Sequence, residues 1–487
     1  MPVALAFVAA SCSTEDEGGG ESDSPTTEAE SGSGGTEAES ESTEAESEST
    51  EAESETTEGE SEGTAAEGGG SGGGSADLEG TEVTVFGPES SEEEAGAMQD
   101  ALDVFAEENG MAITYVGARD FEEQINAQVA GGNPPDIAIF PQPGKLRDFA
   151  STEDVLPLPE DVLTSVEENW NENWLGFWQD EEGTQYGVPN KSDLKSLVWY
   201  SPARFAELGY EVPETLDAFF ELSGQMIADG NTPLCVGVES GPATGWPFTD
   251  WTEEIILRNE GIDYYNSWVA HEVPFDDQPV VDAMAQVADL WAQDGAVSAS
   301  GGSIVATPFG DNAQGLVDGQ CMMHRQANFF ASFFPEGTAY GDGEGEIDTF
   351  YFPSNEGEPI LVAGTSAAAF RDAPEVWAVM QYYGSPEYAD ARQEAQLVRK
   401  GGDPADPGNL SSGYLSANEN ADPALYSTLD QGFLEVLATG DPAGFDGSDQ
   451  MPGEVGSGSF WAEATALING EKDAAAAAAA IEASWPS

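Results

Sequence analysis

Few residues of this chain could attack, protonate or ligate, and their spacing does not suit those tasks. Histidine occurs only at His271 and His324, and cysteine only at Cys12, Cys235 and Cys321. His324 follows Cys321 by three residues in "CMMHRQ", where a thiol–imidazole pair could form a nucleophile, but a structural strand holding a cysteine explains the pattern better. A zinc site needs several His or Cys ligands, so no metal centre is expected. "GESEG", Gly59 to Gly63, matches the G-x-S-x-G nucleophile elbow in letters but has no flanking strand or helix. A G-x-x-x-x-G-K-[ST] phosphate loop is absent, and no cofactor is expected. Glycoside hydrolysis needs only two carboxylates at a set separation, and 93 acidic residues neither supply nor exclude the pair. A secreted glycoside hydrolase therefore stands as the alternative function.

The aromatic residues suggest binding instead. In "GPATGWPFTDW", Gly241, Pro242, Gly245 and Pro247 interrupt regular structure, which reads Trp246, Phe248 and Trp251, with Asp250 among them, as a loop. "SGSFW", ending at Trp461, and "HRQANFF", with Arg325, Gln326 and Asn328, repeat the mixture; Phe329 and Phe330 are assigned to the core. A sugar ring has an apolar C–H face that an indole covers, and a hydroxyl edge that amides, carboxylates and guanidinium groups satisfy.

The elements that must position these residues begin at Thr81. "TEVTVFG" alternates as a strand, and Met98, Ala101, Leu102 and Phe105 mark a helix face. "AITYV" is a second strand, Phe121, Ile125 and Val129 a second helix, and "DIAIF" a third strand. This is an α/β pattern, a parallel sheet covered by helices, with ligands expected at the strands' carboxyl ends. The loops "GPESSEEE", containing Glu89, and "PQPGK", containing Gln142, are therefore candidate walls. Helices are expected over Asp217 to Ala228, Val280 to Asp294 and Asp473 to about Ser484, and "NEGEPILVAG" reads as a turn and a strand returning to the earlier sheet. A body of this length is expected to form two lobes.

Charge is the extreme property: 93 acidic against 13 basic residues, a formal net of −80. Nucleic acid and anionic membrane surfaces are poor partners for such a chain. The acids spread along the whole body, which points to concentrated salt as the working medium rather than to a cation site. "DGEGEID" departs from the EF-hand pattern and reads as a solvated turn. Residues 13–80, rich in Glu, Ser, Gly and Thr and containing three "TEAESE" repeats, read as a disordered, self-repelling acidic tether. Cys12 follows "LAFVAAS", which resembles a bacterial lipobox without its basic leading region, so residues 1–12 are expected to be a lipoprotein signal remnant. Lipidation of Cys12 would hold the protein at the outer face of the cell membrane, with no other membrane contact. In that oxidising compartment Cys235 and Cys321 form either a disulfide, which is the expectation, or two buried thiols.

Long ordered blocks then resemble a known group. "GGNPPDIAIF", "YGVPNKSDLKSLVWYSPARFAELGYEVPETLDAF", "ESGPATGWPFTDW", "DGQCMMHRQANFF" and "MPGEVGSGSFWAEATALINGE" are similar to the extracellular solute-binding proteins of carbohydrate ABC importers, family 1, and most to the α-glucoside-binding lipoproteins. The resemblance implies a two-lobed periplasmic-binding-protein-like fold of type II, with a hinge crossed more than once. Lobe 1 would comprise 81–197 and 347–405, and lobe 2 198–346 and 406–487. It implies a monomer that closes on an α-glucoside or similar oligosaccharide and hands it to permease subunits. Trp461 would stack on sugar, and Gln142 would make polar contacts, with Pro141 where relatives often carry an aromatic residue. Asn190, Asp193 and Lys195, with Lys191 beside them, would line the cleft. Trp246, Asp250 and Trp251 would form a wall in the second lobe, with Asp250 accepting sugar hydroxyls; Glu89, Arg325 and Gln326 complete the candidate set.

Overall fold

In the computed structural model, which describes residues 78–440 and 442–486, β1 (Glu82–Gly87) buries Val83 and Val85 and leaves Glu82 and Thr84 outside. The period-two alternation holds over the first four residues and ends at Phe86 and Gly87, which are buried as well, Phe86 against Phe121 at 5.3 Å. It pairs in parallel with β2 (Ala112–Gly117) and β3 (Ile137–Phe140). The connecting helix Glu92–Asn109 starts where the Ser91 hydroxyl accepts the Glu94 N–H at 3.1 Å. Glu92, Glu93 and Glu94 complement the helix dipole in its first turn, and Gly110, at φ 65°, ends it in the left-handed conformation. Met98, Ala101 and Leu102 face the sheet, while Phe105 stacks 4.7 Å from Tyr382. Helix Phe121–Ala130 covers the sheet through Phe121 and Ile125.

The sheet is mixed rather than purely parallel. β4 (Val188–Leu194) leads out of the lobe; β10 (Ile360–Ala369) returns, as its sequence suggested, and pairs antiparallel with both β3 and β4. The return comes from the other lobe, at the end of the sheet where β3 finishes, so the strand runs opposite to β3. β11 (Ala443–Phe445) lies parallel to β10, giving the order β11-β10-β3-β1-β2 with β4 also on β10.

The second sheet has the order β7-β6-β8-β5-β9: β5 (Leu197–Tyr200), β6 (Leu234–Cys235), β7 (Val297–Ser298), β8 (Met323–Arg325) and β9 (Asp348–Tyr351). Two lobe boundaries need correction. β9, expected in lobe 1, pairs with β5 in the second sheet; β11, expected in lobe 2, belongs to the first. The chain therefore crosses at 195–196, between Phe352 and Pro359, and again after Phe445. The segment 406–440 does not sit wholly in lobe 2 either: Leu415 accepts the Ser192 N–H beside β4, while Phe433 packs 6.4 Å from Trp199 of β5.

Helices Leu216–Ala228, Gln278–Trp291 and Ala474–Glu482 lie where the sequence placed them. "GWPFTDW" is not a loop. It opens the helix Trp246–Val269, kinked at Gly261. Pro247 falls in the first turn, where a missing N–H costs nothing, and Gly245 at φ 118° makes the entry. Phe248 and Trp251, three residues apart, pack on Trp291 at 5.4 and 5.9 Å in the second core. Cys235 and Cys321 are joined as a disulfide beside β6 and β8, their Cα atoms 5.4 Å apart. Cys12 and residues 13–77 of the tether lie outside the described residues.

Candidate functional site

A cavity of about 220 Å³ lies where the two lobes meet. The first lobe walls it with the loop after β1, the residues after β3, and one face of β4. Strand alternation decides which β4 residues take part: Lys191 and Asp193 line the cavity, whereas Asn190 and Ser192 point away. Asn190 accepts the Thr365 hydroxyl at 2.6 Å, and Ser192 Oγ accepts the Ala417 N–H. The second lobe contributes Trp246 and Asp250, one helical turn apart, with Phe309, Phe329 and Phe333. Asp446, Ser448 and Asp449 enter from the last crossing, and Trp461 from the start of helix Trp461–Ile468.

Charges around the cavity are paired in two groups. Glu89 accepts Lys191 Nζ at 3.0 Å and Arg392 Nη2 at 2.8 Å. Burial alone would raise the Glu89 carboxyl, but these two cations outweigh it and bring it down to about 2. In the second group Lys195 Nζ donates to Asp250 at 2.9 Å and to Asp446, and stands 5.6 Å over the Trp246 ring. Arg325 donates to the other oxygen of Asp250 at 2.7 Å and to Glu254 at 2.9 Å. Burial and the neighbouring Asp446 charge push the Asp449 carboxyl well above the usual range.

Three polar atoms on the wall have no partner among the described residues: Trp461 Nε1, Gln142 Oε1 and Asp193 Oδ1. Trp461 is 4% exposed, so its N–H is both desolvated and unused. Such groups cost about 1–3 kcal/mol each until a ligand satisfies them. A flat indole, one free donor and two free acceptors together suit a small polyhydroxylated molecule.

Of the candidate set, Glu89, Gln142, Asp193, Lys195, Trp246, Asp250 and Trp461 line the cavity, and four residues do not. Trp251 lies on the core side of its helix. Arg325 sits behind the wall, holding Asp250. Gln326 folds back so that its Oε1 accepts the Ala327 N–H at 2.9 Å, and Asn190 is on the wrong face of β4. Asp250 has both oxygens engaged by cations, so it holds Lys195 in place instead of offering a free acceptor. His324 is buried with Nδ1 donating to the Cys235 carbonyl, and burial lowers its pKa to about 4.

Sequence reasoning missed Phe309, Phe333, Asp446 and Asp449, and it assigned to the core Phe329, which lines the cavity. Asp446 caps the turn Gly447–Gln450 by accepting the Asp449 N–H at 2.9 Å. "FDGSDQ" carries that capping signal, but nothing in it points to a cavity. Phe309 and Phe333 meet at 5.0 Å from two separate 3₁₀ turns, Phe309–Asp311 and Asn328–Phe333, with no local pattern linking them.

Comparison with known proteins shows the family and the fold. Residues 88–390 match the family model of bacterial extracellular solute-binding proteins. The chain is 34% identical over 424 residues to the alpha-glucosides-binding periplasmic protein AglE of Rhizobium meliloti, covering 84% of this chain and 88% of AglE. It is 36% identical over 422 residues to the osmoprotective compounds-binding protein GgtB of Synechocystis, covering 85% and 94%. In fold it is similar to the bacterial solute receptor AcbH, with a TM-score of 0.66 at 19% identity over 83% of this chain and 98% of that one. The GacH receptor of Streptomyces glaucescens gives 0.61 at 18%, over 83% and 97%. With two lobes, three crossings and a lined cavity between them, the chain belongs to the bacterial extracellular solute-binding proteins.

Proposed function

We propose that this protein is an extracytoplasmic receptor that closes its lobes around an α-glucoside or similar oligosaccharide and delivers it to an ABC importer. The observation that carries the reading is Trp461: a buried indole on the cavity wall, its N–H unpartnered, beside the free acceptors of Gln142 and Asp193. The ring covers the C–H face of a sugar, and the free polar atoms meet its hydroxyls. Binding that touches both lobes stabilises the closed state by its differential affinity, which is the work a receptor needs. The name of AglE supports an α-glucoside; that of GgtB extends the candidates to osmoprotective solutes. Glu89 and Asp250 are held by cations in ion pairs, a binding arrangement rather than an acid–base pair, so no catalytic role is assigned. Cys12 as a lipid anchor, the permease as partner, a monomeric state and adaptation to high salt belong to the same reading.

The test is thermal unfolding of the whole chain in high salt against trehalose, maltose, sucrose, palatinose and glucose, each sugar checked by chromatography afterwards. A ligand at 100 times its dissociation constant adds about 2.7 kcal/mol of stability. A shift with intact sugar is the expected result. A shift with cleaved sugar would make the protein a hydrolase, and no shift with any sugar would remove the sugar reading.

A further inference from the structure

The two tryptophans of the cavity wall belong to different helices, and each is the first residue of its own: Trp246 opens Trp246–Val269, and Trp461 opens Trp461–Ile468. The two helix starts touch through their backbones. Gly245, buried and at φ 118°, lies against the main chain of Trp461. A Cβ at Gly245 would overlap the Trp461 carbonyl oxygen and stand 3.0 and 3.1 Å from the carbonyl carbon and Cα. Carbon atoms in contact keep about 3.5–4.0 Å, so a side chain there would part the two starts by about half an ångström or more. The Thr465 hydroxyl spans the same seam, donating to the Trp461 carbonyl at 3.0 Å and to the Thr244 carbonyl at 3.3 Å.

Each side of the seam is anchored. The Gly245 N–H donates to the Val238 carbonyl at 3.1 Å, and the Gly245 carbonyl accepts the Phe248 N–H at 2.9 Å. Trp461 leaves a π turn, Val455–Phe460, in which the Ser459 N–H reaches back to the Glu454 carbonyl at 3.0 Å. The Trp246 ring is braced by Phe309 at 5.1 Å, whereas neither a hydrogen bond nor an aromatic neighbour fixes the Trp461 ring among the described residues. The place of Trp461 relative to Trp246 is therefore set by the main chain, and the seam is where the two main chains meet.

We propose that Gly245 is a positioning residue for ligand binding: lacking a side chain, it lets the two helix starts close and so sets the gap between Trp246 and Trp461. Resting on the sugar reading above, that gap decides how well both indoles reach one bound sugar. Gly245 does not itself line the cavity; it acts through Trp461.

Titration calorimetry of the full chain tests this with the tightest-binding of maltose, trehalose, sucrose and palatinose. Gly245→Ala weakens that sugar about tenfold. Gly295→Ala is the control: Gly295 also has a positive φ, 80°, but a Cβ there would meet only Ile227, at 3.9 Å. That variant carries the backbone strain without opening the seam, and binds within about twofold of the wild-type protein. A role confined to stability would lower the number of competent molecules and leave their dissociation constant unchanged. The decisive readout is the double variant: in a Trp461→Ala background, Gly245→Ala costs less than about twofold. A tenfold loss there as well, or no loss in the single variant, would overturn the inference while the sugar reading stood. Should Gly245→Ala fail to fold, Thr465→Val removes the bond across the same seam and weakens the sugar about threefold. A folded Thr465→Val with wild-type affinity would then overturn the inference. If none of these sugars binds the wild-type protein, the sugar reading falls and the positioning role with it.

Discussion

Lys195 donates to Asp250 across 2.9 Å, joining the first crossing between the lobes to the second turn of helix Trp246–Val269. Further bonds from the crossings meet the same helix. Ser196 donates to Glu254 at 3.2 Å, and Glu253 accepts the N–H groups of Gly447 and Ser448 at 2.7 and 3.0 Å in the third crossing. Arg258 donates to the carbonyls of Phe352, Pro353 and Pro359 in the second, at 2.8, 3.0 and 3.3 Å. Residues 250, 254 and 258 fall on one helix face by their spacing of four. One helix therefore ties all three crossings, and its Asp250 and Trp246 also line the cavity.

Lys195→Met leaves Asp250 and Asp446 buried without their shared cation. Removing one partner from a buried ion pair costs about 3–5 kcal/mol. Urea unfolding of the variant against the wild-type protein reads the loss; a change of less than about 1 kcal/mol would mean that Arg325 and solvent suffice.

Glu89 gives a pH signature. Its carboxyl titrates at about 2 in the folded protein against an ordinary 4.5, so the folded state binds fewer protons. Its stabilisation, about 3 kcal/mol from the 1.36 kcal/mol per pKa unit, is present above pH 4.5 and is lost as the pH falls toward 2. The stability difference between wild type and Glu89→Gln should shrink over that window; a difference independent of pH between 6 and about 2.5 would refute it.

The Cys235–Cys321 bridge closes a loop with a sequence separation of 86. Opening it with reductant, or with Cys235→Ser and Cys321→Ser together, should cost about 2–5 kcal/mol. Non-reduced peptide mapping of protein exported from the cell should recover the linked pair. Two free thiols there would refute it.

Trp461→Ala should weaken the best sugar by roughly 30-fold or more, the effect of losing a binding anchor of about 2 kcal/mol. Calorimetry after a melting check separates this from unfolding. An unchanged affinity in a folded variant would remove Trp461 from the site.

The part of this molecule legible in its sequence is the part governed by near neighbours. β1, β2, β3 and their helices follow from alternation and i, i+4 spacing within a few residues, and the ordered motifs carried the family. Trp461 and Gln142 were reached through those motifs. Trp251 was misplaced because Gly245 and Pro247 read as breakers, yet one makes the helix entry and the other sits in its first turn. Only the tertiary structure decided that β9 joins the second sheet and that Asp250 spends both oxygens on cations. Glu89 meets Arg392 across 303 residues, and Lys195 meets Asp446 across 251. Pairings at such separations leave no periodic trace in the chain, because they are set by how the lobes and crossings pack.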